Sequence, residues 1–200
     1  MTNYSYLALG DSYTIGEQIP FAENFPNQTV QHLRSAGFAF YAPEIIAKTG
    51  WTTDELANAI ECTTFLEKYD IVSLLIGVNN QFRGRSAEQF KIEFEQLLQK
   101  AIHFADNKPS HVIVLSIPDW GVTPFAEGID RKKMAEEIDV YNDICKKSAA
   151  AFKANFINIT TSQREDGNKT VFLAPDGLHP SGNEYKKWAA ELADAILKAL

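Results

Sequence analysis

Ser12 sits in the stretch Leu7-Ala8-Leu9-Gly10-Asp11-Ser12-Tyr13-Thr14, where an apolar run stops abruptly at a small, polar turn. A serine hydroxyl is almost wholly protonated at neutral pH. It attacks an acyl carbon only when a neighbouring base takes its proton and a third group holds that base. Of the four histidines, His179 alone lies in a loop with a carboxylate three residues before it, in Asp176-Gly177-Leu178-His179-Pro180. A turn of that length can bring Asp176 to one ring nitrogen and leave the other for Ser12. Ser12 is therefore the candidate nucleophile, His179 its base and Asp176 the group that orients the base. The oxyanion formed in acyl transfer also needs donors, and the backbone N–H groups of Ser12 and Gly50 with the Asn79 carboxamide could supply three. Taken alone, Gly-Asp-Ser also reads as an ordinary strand-to-helix turn with a capping side chain.

These residues become one site only if the chain brings them together. Tyr4 to Leu9 has the length and composition of a buried strand, and Gly10 permits a turn that a Cβ would obstruct. A helix is expected from Pro26 to about Ala36, then a strand over Phe38–Ile46, placed at a sheet edge by Pro43. Thr52 to Glu55, Ser86 to Gln89 and Ser181 to Glu184 each have capping-box spacing and predict helix starts. Uninterrupted apolar runs at Ile71–Ile76 and Val112–Ile117 suit strands covered on both faces, with a fifth strand at Phe156–Ile159. A helix is expected after Asp130, and Thr160 to Pro180 reads as loop. Strands alternating with helices predict a three-layer αβα sandwich of about five parallel strands with right-handed crossovers. Ser12, Gly50, Asn79 and the Asp176–His179 loop each follow a predicted strand, so all four can converge on the rim where open α/β sheets bind ligands.

With 200 residues, 45% of them hydrophobic, the chain fits one domain over positions 1–200. A net charge of −7 with scattered basic residues argues against nucleic acid and anionic membranes as partners. No run approaches the roughly 20 apolar residues of a membrane span. The N-terminus lacks the pattern of a secretion leader; a cytoplasmic location is expected, with a removed leader left open. Cys62 and Cys145 read as two reduced, packed thiols. No His-x-His pair, Cys cluster or phosphate-binding glycine loop is present, so neither a metal nor a cofactor is expected. Glu17 and Asp119 near the same rim raise a paired-carboxylate glycosidase, which their spacing does not support. The α/β-hydrolase elbow fits worse, because Thr14 stands where Gly-x-Ser-x-Gly requires glycine.

Gly10-Asp11-Ser12-Tyr13, Gly50, Gly77-Val78-Asn79-Asn80 and Asp176-Gly177-Leu178-His179-Pro180 resemble, in order, the four marker blocks of the GDSL/SGNH hydrolase family. Ile117-Pro118-Asp119-Trp120-Gly121 is similar to the matching stretch of lysophospholipase-like bacterial members. The resemblance spans nearly the whole chain. It implies a flavodoxin-like fold, a Ser-His-Asp esterase without cofactor, an oxyanion hole from Ser12, Gly50 and Asn79, and a small-molecule ester substrate. The family's third block usually ends in Asp; Asn80 departs from it and removes a charge near the rim. Asp11, Trp51, Asn80, Trp120 and Arg83 are the candidate substrate contacts, with Phe21 and Phe125 as further aromatics in rim loops. Arg83, with Arg85, could bind a phosphate or carboxylate, or could simply be solvated. The expected activity is carboxylic-ester hydrolysis of lysophospholipase or short-chain esterase type. Carbohydrate O-deacetylation and a non-catalytic binding domain on the same fold are the alternatives.

Overall fold

The structure, a computed structural model, describes residues 3–200. In chain order its regular elements are β1 (Tyr6–Asp11), α1 (Ser12–Ile15), α2 (Phe25–Ser35), β2 (Glu44–Lys48), α3 (Thr53–Glu61), β3 (Ile71–Leu75) and α4 (Val78–Phe82). They continue with α5 (Ala87–Phe104), β4 (Val112–Leu115), α6 (Arg131–Ala151), β5 (Asn155–Ile157), α7 (Thr160–Asp166) and α8 (Gly182–Ala199). The five strands make an all-parallel sheet in the order β2-β1-β3-β4-β5. β1, β3 and β4 are buried along their whole length, as continuous apolar runs require when helices cover both faces.

Right-handed crossovers dictate which helix lies on which face. The chain steps one way from β1 through α2 to β2, and the other way through α3, α5 and α6, so these three belong on the opposite face from α2. The packing agrees: α2 lies along α8, while α5 touches both α3 and α6. The apolar stripe of α5 is buried at Phe90, Phe94, Leu97, Leu98 and Ala101, and that of α8 at Tyr185, Trp188, Ala189, Leu192, Ala193 and Ile196. This is the expected αβα sandwich, with its winding reversal between β1 and β3.

Several boundaries differ from expectation for identifiable reasons. β2 begins at Glu44 rather than Phe38, because Pro43 has no N–H to give a ladder; before it only the isolated bridge Tyr4–Phe40 forms. β2 is the edge strand that Pro43 indicated. The stretch expected as loop after β5 contains α7, which carries no apolar stripe and is anchored by polar contacts instead. Thr160 Oγ1 donates to the Ile117 carbonyl at 2.8 Å, Gln163 Oε1 accepts from the Asp119 amide at 2.7 Å, and Arg164 meets the buried Asp119 carboxylate at 2.7 Å. Thr52 and Glu55 complete a reciprocal capping box on α3. At α8 only the Ser181 arm forms, because Glu184 turns into the core to accept from Trp188 Nε1 at 3.1 Å. Cys145 is buried, whereas Cys62 is exposed rather than packed. Among the described residues, no helix is long and apolar enough to cross a membrane.

Gly10 pairs with Ala47 on one side and Leu75 on the other, just before the chain turns into α1. A Cβ there would stand 2.5 Å from the Leu75 carbonyl oxygen and 2.8 Å from Thr14 Cβ, so backbone would have to shift. Gly10→Ala is expected to destabilise the fold by at least about 1–3 kcal/mol, the usual range for overpacking, read as a lower urea midpoint at unchanged slope.

Candidate active site

β1 delivers Ser12 to the carboxyl edge of the sheet, where it opens the single-turn helix α1. Asp11 caps that turn, its Oδ1 accepting from the Tyr13 amide at 3.0 Å. Gly16 closes it at φ +76° with its N–H on the Ser12 carbonyl. Ser12 is held rigidly, its amide among the first N–H groups of a helix, which have no intrahelical acceptor.

The Asp176–His179 turn is built as the spacing suggested. Asp176 Oδ2 lies 2.6 Å from His179 Nδ1, and its Oδ1 accepts the Leu178 and His179 amides, both at 3.0 Å. The backbone around the turn is pinned by a Leu173–Pro180 bridge and by the Ala174 amide on the His179 carbonyl at 2.8 Å. Burial pushes the Asp176 carboxyl upward, but the His179 ring and the two amides outweigh it, leaving it below the usual range. Because Asp176 occupies Nδ1, Nε2 is the ring nitrogen left for other chemistry. The buried imidazole packs against Tyr13 at 4.8 Å between ring centroids.

Gly50 ends β2 in a turn closed by the Trp51 amide on the Lys48 carbonyl at 3.2 Å, and adopts φ +83°, a conformation suited to glycine. Asn79 lies in the first turn of α4, directly after β3, and its Nδ2 donates to the Trp51 carbonyl at 3.0 Å. A carbonyl partner fixes which end of the amide is nitrogen, and the same side chain also faces the Asp11 carboxyl. Ser12, Gly50, Asn79 and His179 all line one cavity of about 180 Å³. Thr49 and Tyr13 also border it, and its apolar wall is Val78, Phe82, Trp120, Phe125 and Leu178. Phe82 and Phe125, 55% and 48% exposed, flank Trp120 and form the rim.

Of the five expected substrate contacts, only Trp120 is part of this wall; Asp11, Trp51, Asn80 and Arg83 are not. Asp11 is wholly buried beneath Ser12. Asn80 is also wholly buried, its amide paired with the Thr53 backbone N–H at 3.0 Å and the Thr53 hydroxyl at 2.6 Å. Arg83 donates to the Gly50 carbonyl at 2.6 Å and pairs with Glu55 at 3.3 Å; Arg85 pairs with Asp54 at 2.6 Å. Neither guanidinium is free for an anion. Phe21 is exposed away from the cavity wall, and Asp119 serves α7 rather than standing opposite Glu17. Glu17 instead accepts from Thr49. The Phe82 wall had no signal in the sequence, since a helix of one turn and a half shows no periodic stripe. Among the described residues no group of three or more His, Cys, Asp or Glu is arranged to hold a metal ion.

Residues 8–187 match the family model described as the GDSL-like Lipase/Acylhydrolase family. No curated protein matches the chain in sequence. Solved structures with the same fold include one titled as the crystal structure of TesA, at 17% identity and a TM-score of 0.75, covering 98% of this chain and 99% of that one. A lipase/acylhydrolase from Enterococcus faecalis has 20% identity and a TM-score of 0.76, covering 96% and 95% of the two chains. Axe2, an acetylxylan esterase from Geobacillus stearothermophilus, has 20% identity and a TM-score of 0.72, covering 99% and 94%.

Burial drives the Asp11 carboxyl up to about 7, against the pull of the Tyr13 amide and the Asn79 side chain, and its Oδ2 has no hydrogen-bond partner in good geometry. A carboxyl whose folded pKa is raised binds its proton more tightly in the native state. Its contribution is therefore fully present below the unfolded pKa near 4 and is lost as pH rises to about 7. Asp11→Asn, which keeps the capping oxygen, is expected to gain stability relative to the parent between pH 5 and pH 8. Paired urea titrations at the two pH values check this.

Proposed function

We propose that this chain, which belongs to the GDSL-like lipase/acylhydrolase family and is an ester-bond hydrolase, cleaves carboxylic esters through an acyl-enzyme on Ser12. The observation that carries this is the 2.6 Å Asp176–His179 contact beside a cavity that His179 shares with Ser12, Gly50 and Asn79. In this reading His179 Nε2 takes the Ser12 proton as Oγ attacks the ester carbon. Asp176 holds the ring with Nδ1 protonated and stabilises the imidazolium that results. The carbonyl oxygen becomes an oxyanion and is met by the Ser12 and Gly50 N–H groups and the Asn79 carboxamide. Collapse expels the alkoxide, which His179 protonates to the alcohol. Water, deprotonated by the same ring, then attacks the acyl-enzyme, and the second tetrahedral adduct collapses to release the acid as Ser12 Oγ takes the proton back from His179.

The cavity supports a substrate assignment as well. About 180 Å³ is small beside the roughly 300–1,000 Å³ of pockets that enclose a drug-sized ligand, and its wall is apolar. That suits a short acyl group in the cavity with the alcohol portion directed out past Phe82 and Phe125. The short-chain esterase reading is therefore favoured over a lysophospholipase that must enclose a long chain. The same small cavity keeps carbohydrate O-deacetylation as the second reading, with acetyl as the acyl group. Positions 1–200 are taken as a single domain of this family.

Hydrolysis of p-nitrophenyl esters from acetate to decanoate tests the reading. Activity is expected to peak at the short end and to vanish in Ser12→Ala. Asn79→Ala is expected to lower kcat by roughly 10²–10³-fold, the usual effect of removing one oxyanion donor. A Ser12→Ala protein as active as the parent would sink the mechanism, and an optimum at decanoate would sink the short-chain assignment.

A further inference from the structure

The segment Gly50–Thr53 joins β2 to α3, and its polar backbone groups are met by side chains rather than by a ladder. The Gly50 carbonyl accepts from Arg83 Nη2 at 2.6 Å, and the Trp51 carbonyl from Asn79 Nδ2 at 3.0 Å. The Thr52 amide donates to Glu55 at 2.9 Å, and the Thr53 amide to Asn80 Oδ1 at 3.0 Å. Three of these four partners, Asn79, Asn80 and Arg83, come from α4 and the residue that ends it. Arg83 has a second anchor, since its Nη1 lies 3.3 Å from the Glu55 carboxylate, the same carboxylate that closes the capping box on Thr52.

Glycine populates positive and negative φ about equally, so nothing in Gly50 itself selects φ +83°. The constraint has to come from outside the residue. The Trp51–Lys48 hydrogen bond closes the turn, but the direction of the Gly50 amide also depends on where its own carbonyl is held, and Arg83 is the side chain that holds it. Arg83 is 44% exposed and its charge is matched by Glu55, which leaves little net field for a substrate anion. Its planar fork, reaching a carbonyl and a carboxylate together, is a geometric device that a point-charge ammonium cannot reproduce.

We propose that Arg83 is a positioning residue for ester hydrolysis: it holds the Gly50 turn so that the Gly50 N–H faces the oxyanion in the cavity. This rests on the acyl-enzyme reading above. A displaced donor weakens the transition state while leaving ground-state binding nearly unchanged, so the effect belongs in kcat and in the affinity for tetrahedral adducts.

The test compares the parent with Arg83→Met, which keeps an apolar stem, and Arg83→Lys, on p-nitrophenyl acetate and on an ester bearing a carboxylate in its alcohol portion. Inhibition by a phenylboronic acid, which forms a tetrahedral adduct on serine, is measured alongside. Arg83→Met is expected to lower kcat about tenfold, less than deletion of a donor, with KM within about twofold for both esters. The boronate inhibition constant should rise in parallel, and Arg83→Lys should recover only part of the loss. Unchanged kcat in folded Arg83→Met overturns the proposal. So does a rise in KM confined to the anionic ester, which would make Arg83 a substrate anchor. If Arg83→Met does not fold, Glu55→Gln carries the test, because glutamine sustains a capping box while loosening the second anchor; a smaller fall in kcat at constant KM is expected, and no fall overturns the proposal. Ser12→Ala separates the two possible failures. Activity persisting there removes the acyl-enzyme and the role of Arg83 with it, whereas an inactive Ser12→Ala beside an unaffected Arg83→Met removes the role of Arg83 alone.

Discussion

The reversal of winding between β1 and β3 is the constraint on which the rest of the site depends. Because right-handed crossovers carry the chain outward from β1 in one direction and from β3 in the other, no connection covers the carboxyl ends of these two strands. The gap is filled by what each strand delivers: Ser12 after β1, Asn79 after β3, and Gly50 after the neighbouring β2. A parallel sheet buried on both faces is stiff, so the spacing of these ends follows from strand register. Gly10 is the tightest point of that register, where the Leu75 carbonyl leaves no room for a side chain. The groups proposed to act on the ester are thus placed by the core and only trimmed by loops.

Trimming falls to side-chain hydrogen bonds that replace missing backbone partners. At Gly50–Thr53 the partners come from α4 and Glu55; at Asp176–His179 one carboxylate serves two amides and a ring. A buried or half-buried backbone group left unpaired costs about 1–3 kcal/mol, so these contacts stabilise loops whose apolar anchorage is mainly Trp51 and Leu178. The same logic explains Asn80. The usual aspartate would accept from the Thr53 amide, but asparagine also donates to the Thr53 hydroxyl, and that hydroxyl in turn reaches Glu93. A neutral amide at this buried position avoids a second carboxylate on the Thr53 hydroxyl that already meets Glu93.

What could be read from the sequence was what periodicity and chain order encode. Apolar runs located β1, β3 and β4, stripes located α5 and α8, and the alternation of the two specified a parallel sandwich. The Asp176-to-His179 spacing foretold the contact between them because a three-residue turn leaves few other arrangements. Illegible were features decided by contacts distant in sequence. α7 lacks a stripe because Asp119, Gln163 and Arg164 anchor it; Arg83 reads as a free cation until Glu55 and Gly50 are seen beside it; Phe82 carries no signal until α4 turns it toward Trp120. Pro43 indicated that β2 was an edge strand, and its missing N–H also sets the start of the pairing at Glu44, which the aromatic and β-branched run from Phe38 masks.

Two carboxylates stand close to Tyr13, and their surroundings drive them in opposite directions. Burial raises the Tyr13 hydroxyl most, and Asp11 and Asp176 both add to it, so both carboxyls are electrostatically near that ring. Asp176 accepts from three N–H groups and is held ionised, while Asp11 receives one good hydrogen bond and is pushed toward neutrality. The pair therefore carries close to one negative charge at mildly acidic pH, and that charge lies on the carboxylate in line with Nδ1. The tautomer of the ring is selected by geometry: Asp176 Oδ2 at Nδ1 favours the proton there and leaves Nε2 as the unprotonated nitrogen.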